Sequence, residues 1–215
     1  SPEDGTVVLG FNNKSVLRKM EDLARQRVYD KLKDIITFEA PDDFFIADEV
    51  AEDLVRMDQE KGNLDIVIGK GARIERGVTL NINVHIGHYA CLCGDITLGR
   101  NVSIGANVEM SVYRGQKMVV EDDAEILGGN ILKGPVTIRQ GARVETPVTI
   151  TGSDTHPSCI GARCLIKGTT YIFGSTIEDD VTIEHCVLKC KRIERIERKD
   201  GSVQAVRYYL PLPQG

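Results

Sequence analysis

The sequence has no tryptophan, and aromatic residues are only 5% of its 215 positions, too few to anchor a compact core of the usual kind. It has no long basic run and a net charge of −5, so nucleic acid is not an expected partner. No apolar stretch approaches the ~18 residues of a membrane span. The first residues do not read as a signal peptide. The six cysteines include no CxxC pair, so spacing offers no zinc site. The expectation is a reduced, cytoplasmic protein without a membrane partner.

What the chain does have is a period of six. Ile68, Ile74, Leu80, Ile86, Leu92, Leu98, Ile104 and Met110 fall on it without a slip. Four residues after each of the first seven come Ala72, Val78, Val84, Ala90, Ile96, Val102 and Val108. Six matches neither a helix (3.6) nor a plain strand (2.0). It matches a chain winding in flat-sided coils, with one short strand and one corner per six residues. Three sides make an eighteen-residue coil, and coils stack at about 4.8 Å. This is a hexapeptide-repeat solenoid, a parallel β-helix of triangular section, mainly β. Stacked Ile, Leu, Val and Ala fill its narrow bore, each contributing ~1.5–3 kcal/mol, so aromatic anchors are not needed.

After Met110 the beats are Val120, Ile126, Leu132, Ile138, Val144 and Ile150, then Ile160, Ile166 and Ile172, then Ile177 and Ile183. Met110 to Val120 and Ile150 to Ile160 each span ten residues, so four residues are inserted at each place. The spacing predicts that both insertions leave the same corner, two coils apart, roughly 10 Å along the axis. Loops on a rigid scaffold are where function concentrates.

Three segments are expected. Residues 1–62 are a linker: a loose end, a short strand over Thr6–Phe11, a helix from Ser15 to about Asp34, then an imperfect first coil. The helix carries Val16, Leu17, Met20, Leu23, Ala24, Val28 and Leu32 on one stripe, capped by Asn13 or Ser15. Ile35–Ala40 reads as strand. Ile46 and Val50 take hexad positions, and 51–62 is a short helix ended by Gly62. Residues 63–190 are the β-helix. Residues 191–215 are a C-terminal hairpin cap, turning at Asp200-Gly201 with a strand over Val203–Leu210 and stopped by Pro211 and Pro213.

The run Leu9-Gly10-Phe11-Asn12-Asn13-Lys14 followed by a helix, and then Ala40-Pro41, Phe45-Ile46 and Asp48-Glu49-Val50, resembles a known family. It is similar to the linker and hexapeptide domain of the bifunctional UDP-N-acetylglucosamine pyrophosphorylase/glucosamine-1-phosphate N-acetyltransferase enzymes. The resemblance covers about residues 6–110 in sequence and the rest in architecture. It implies a left-handed parallel β-helix, a sugar-nucleotide-pathway transferase, a homotrimer, acetyl-CoA as cofactor and a sugar phosphate or nucleotide sugar as substrate. It also implies a nucleotidyltransferase domain ahead of residue 1. The family's H-L-x-Y-x-G-D and N-Y-D-G motifs do not occur here; Thr151-Gly152-Ser153-Asp154-Thr155-His156-Pro157 stands where the second would fall.

Candidate chemistry sits in the two insertions. His156 is the candidate base, because imidazole titrates near neutrality and acyl transfer needs a proton acceptor. Asp154 could orient its ring. The run 151–161 also resembles the loop of sugar O-acetyltransferases, in which a histidine precedes a resumed hexad. In the first insertion, Arg114 and Lys117, with Tyr113 beside them, are candidates for holding cofactor phosphates. A solvated loop histidine and ordinary surface charge are the bland readings of both sets. Arg100, Asn101 and Asn107 are read as corner residues. His85 and His88 lack the spacing of a trimer-shared zinc site, so no metal is assigned, and His185 has no evident partner. Three readings follow: an acetyl-CoA-dependent acyltransferase, a non-catalytic trimerisation or regulatory β-helix of a sugar-1-phosphate nucleotidyltransferase, and a γ-carbonic-anhydrase-like metalloenzyme.

Overall fold

A computed structural model describes residues 14–211. The expected strand at Thr6–Phe11, the Asn12-Asn13 turn and Pro213 lie outside the described residues. Three parallel sheets run along the molecule, with nine, eight and seven strands. The first sheet begins with Thr37–Phe38, the second with Phe45–Ile46 and the third with Val78–Thr79. Strands are only two to four residues long, because each side of a coil offers one hexad before the chain must turn.

The inward columns are the six-residue beats. In the first sheet Ile68 pairs with Ile86 and Ile86 with Ile104, eighteen residues apart. In the second, Ile74 pairs with Leu92 and Leu92 with Met110. All of these are at most 1% exposed. Such a solenoid is held by contacts between neighbouring coils, so each inward aliphatic matters chiefly to the coil above and the coil below.

The stacking outlasts the sequence period. Beyond Ile183 the hexads look dissolved, yet Leu188 pairs with Ile172 and Ile193 with Ile177. Three of the last corners are shortened by one residue each, which shifts the beat in sequence without moving the stack. The Asp200-Gly201 turn closes a short antiparallel excursion bridged at Glu197 and Val203. Val206–Arg207 then returns to pair in parallel with Ile183-Glu184, adding a final strand to the first sheet. The strand is thus shorter than the Val203–Leu210 run expected from the sequence.

Helix α1 spans Lys14–Leu32 and α2 spans Asp48–Lys61. The second helix starts before the position expected, so Val50 is a buried helical residue rather than a hexad strand residue. Asp48 and Glu49 in its first turn favour the start there, since acidic groups complement the helix N-terminus. Gly62, with φ of 64°, ends it as expected. Only the last part of the α1 stripe is covered: Val28 and Leu32 are buried, while Leu17 and Leu23 are exposed.

Corners of the coils use residues that tolerate left-handed backbone, among them Asn83, Asn101, Asn107 and Asp123 with φ of 55–61°. The Asn83 amide donates to Asn101 (2.9 Å), Asn101 to Asp123 (2.7 Å), and Gln140 to the other Asp123 oxygen (3.1 Å). The Asn101 amide, followed by that of Gln140, holds the Asp123 carboxyl below its ordinary value. At the same corner, two coils further along, the Arg163 guanidinium does the same to Asp180. A carboxylate whose pKa falls on folding adds stability that is complete above the unfolded value and is lost as pH drops through the folded one. The denaturation midpoint is therefore expected to fall as pH is lowered past about 4. Asp180→Asn should flatten that fall in urea titrations across the same range. An unchanged pH profile in the variant would show that the pair does not report on folding.

Candidate functional site

Both insertions leave the corner between the second and third sheets. At this corner the coils without an insertion use two residues, Gly94-Asp95 between strands Cys91–Cys93 and Ile96–Leu98, and Gly134-Pro135 between Ile131–Lys133 and Val136–Ile138. The first insertion puts residues 112–117 between Glu109–Ser111 and Met118–Val120. The second puts 152–157 between Val148–Thr151 and Ser158–Ile160. Met110 pairs with Leu132 and Leu132 with Ile150, so the insertions are two coils apart, as the spacing predicts.

The feet of each loop are fixed to neighbouring coils. Val112 N–H donates to Cys93 O (3.0 Å) and Met118 N–H to Asp95 O (3.0 Å). Gly152 N–H donates to Lys133 O (2.9 Å) and Ser158 N–H to Pro135 O (3.1 Å). Gly134 must be glycine: its φ is +79°, and a Cβ there would lie 2.2 Å from Gly152 O. At its tip the second loop makes a two-residue turn over Asp154-Thr155, with Ser153 and His156 exchanging backbone hydrogen bonds (2.9 and 3.0 Å).

The two loops touch. Gln116 Nε2 donates to Asp154 Oδ1 at 2.9 Å, across 38 residues of chain. The same side chain accepts the Tyr113 N–H through Oε1 (3.2 Å), while Gln116 N–H donates to Tyr113 O (3.0 Å). Asp154 therefore braces the first loop. The group hydrogen-bonded to the His156 ring is Thr155, whose hydroxyl lies 2.9 Å from Nδ1. The reason is geometric: in a two-residue turn Thr155 is the immediate neighbour of His156, whereas Asp154 faces the other insertion.

His156 is exposed, and its ring centroid lies 6.3 Å from that of Phe173. It covers Gly174, where a Cβ would sit 2.6 Å from the His156 Cβ. Tyr113 is 81% exposed at the tip of the first loop, flanked by the exposed Arg114 and Lys117. Among the described residues, neither of these two cations has an ion-pair partner. The neighbouring Lys133, by contrast, is engaged with Glu109 at 2.9 Å, and that hydrogen bond raises its pKa.

Of the other histidines, His88 and His185 have structural partners. His88 is paired with Glu39 through Nε2, and His85 points outward on the first sheet. His185 accepts the Thr169 N–H (3.2 Å) and stacks on Tyr208 at 5.4 Å, a partner not anticipated from sequence. Cys164 is buried, donates to Glu178 O (3.0 Å), and burial pushes its thiol up to about 11. Gln116 is the residue the sequence reading missed. Its only signal was its place in an insertion whose partner loop carries an acceptor.

No protein-family model matches the chain. The bifunctional protein GlmU of Cupriavidus pinatubonensis is 32% identical over 114 residues, covering 44% of this chain and 25% of that protein. GlmU of Thermosipho melanesiensis is 32% identical over 129 residues, covering 50% and 29%. The chain thus resembles a part of GlmU and spans about a quarter to three-tenths of the length of the curated relatives it matches. Among solved structures, a UDP-N-acetylglucosamine acyltransferase from Campylobacter jejuni aligns over 71% of this chain and 69% of its own, at 12% identity and a TM-score of 0.35. No helix among the described residues is long and apolar enough to cross a membrane.

Proposed function

We propose that the chain is a hexapeptide-repeat domain of a sugar-nucleotide-pathway transferase, and that the insertion corner carries acetyl-CoA-dependent acyl transfer to a sugar phosphate or nucleotide sugar. The observation that supports this is the direct union of the two insertions. It brings a basic loop and a histidine loop to one corner of an otherwise regular prism. Arg114 and Lys117 would bind the cofactor's phosphates, with the Tyr113 ring available to its base. In the tautomer whose Nδ1 donates to the Thr155 hydroxyl, His156 Nε2 presents a lone pair to the acceptor's amine or hydroxyl. It takes that proton as the acceptor attacks the thioester carbonyl, and the coenzyme leaves as its thiol.

A homotrimer belongs to this proposal. The outward column of the third sheet runs Thr79, Thr97, Val119, Thr137, Cys159, Thr176 and Arg192, uncharged until its last strand. The first sheet's column carries Glu125 beside Arg143. This uncharged stripe suits contact with a second copy, and it borders the insertion corner.

Calorimetry with acetyl-CoA tests the reading. Micromolar binding is expected, weakened at least about tenfold in Arg114→Ala/Lys117→Ala, since hydrogen bonds to charged groups contribute ~1.5–3 kcal/mol each. No binding at millimolar cofactor would leave a non-catalytic module, a reading that the solvent-facing His156 and the engagement of Asp154 with Gln116 would then favour.

A further inference from the structure

One side chain bridges the two insertions. The coil between them turns this corner on Gly134-Pro135 alone, a glycine with no Cβ and a proline with no N–H. It offers no side chain long enough to prop the loops apart or tie them together. The loops instead meet over it, with feet roughly 10 Å apart along the axis. Gln116 is bonded at both ends of its amide. Oε1 fixes the tip of its own loop through Tyr113, and Nε2 reaches Asp154 in the other. Asp154 lies two residues before His156, inside a turn closed by the Ser153–His156 bridge. A displacement of Asp154 therefore moves His156 with it.

We infer that Gln116 is the positioning residue of this corner: it clasps the loop bearing Arg114 and Lys117 to the loop bearing His156. The clasp fixes their separation for an elongated phosphate-bearing thioester cofactor, whose phosphates sit on the first loop and whose thioester reaches the second. This rests on the acyl-transfer reading above. The clasp works by donor and acceptor matching. An amide donates to a carboxylate, and a carboxylate in place of the amide would set two like charges face to face.

The test uses the full chain, with Gln116→Glu and with Gln116→Glu/Asp154→Asn, which restores one N–H to O bond with the roles exchanged. Hydrogen exchange at the Ser153 and His156 amides is read without any cofactor. It is expected to quicken about five- to tenfold in Gln116→Glu and to return toward the original rate in the double variant. Acetyl-CoA KM and turnover are read alongside. Gln116→Glu should lower kcat/KM about tenfold, and the double variant should recover most of it, which a merely local role for Gln116 would not produce. Unchanged exchange at Ser153 and His156, or no recovery in the double variant, overturns the clasp even where acetyl-CoA binds normally. Faster exchange without any acetyl-CoA binding at millimolar concentration overturns the cofactor role together with the acyl-transfer reading.

Discussion

Ile126→Ala is expected to destabilise the chain by about 2–5 kcal/mol, read as a lowered midpoint in urea unfolding. Ile126 is fully buried and pairs with Ile104 below and Val144 above in the first sheet. Removing its outer carbons leaves a void bounded by two coils whose backbones are already locked in parallel ladders, so collapse around it is limited. The adjacent Glu125 provides the control. It points outward on the same two-residue strand and pairs with Arg143. An exposed ion pair is worth ~0.2–1 kcal/mol, so Glu125→Ala should cost no more than that. Equal losses in the two variants would show that the inward and outward faces of this strand are assigned incorrectly.

The second large effect is on chemistry. His156→Ala is expected to lower the rate of acetyl transfer to a sugar-phosphate acceptor by about 10²–10⁴, the usual contribution of a positioned general base. Acetyl-CoA affinity should be nearly unchanged, because the proposed phosphate contacts lie on the first insertion. A fall in kcat at constant cofactor affinity separates a lost proton acceptor from a lost binding group. A variant that turns over as fast as the parent chain would remove His156 from the reaction and leave it a surface loop residue.

The fold was legible because its signal is repeated: each coil independently puts an aliphatic at the inward position, from Ile68 to Ile172. The shared corner was also legible, since an insertion in a periodic chain can be located by arithmetic alone. The start of α2 was not. Val50 suits an inward hexad position as well as a buried helix face, and the acidic first turn at Asp48-Glu49 decides between them. The continuation through Leu188 and Ile193 was hidden because shortened corners break the beat while preserving the stack. The Gln116–Asp154 contact was invisible for another reason. It joins two polar residues 38 positions apart, and neither periodicity nor motif spacing carries information about a side-chain bond between loops. The pairing of His185 with the Thr169 N–H and the Tyr208 ring was likewise a product of coil stacking and the returning C-terminal segment.

The insertion corner also makes the molecule modular. Across the first excursion Leu98 still faces Val120, and across the second Ile138 still faces Ile160. The bore does not register how many residues pass outside it. Lengthening a flexible loop costs only ~0.6 kcal/mol per doubling. This corner is therefore a splice port: a foreign peptide of moderate length can be carried there with its ends held as close as the two-residue corners of the neighbouring coils. By the same property, the loops can diversify from one homologue to the next while the prism that displays them stays constant.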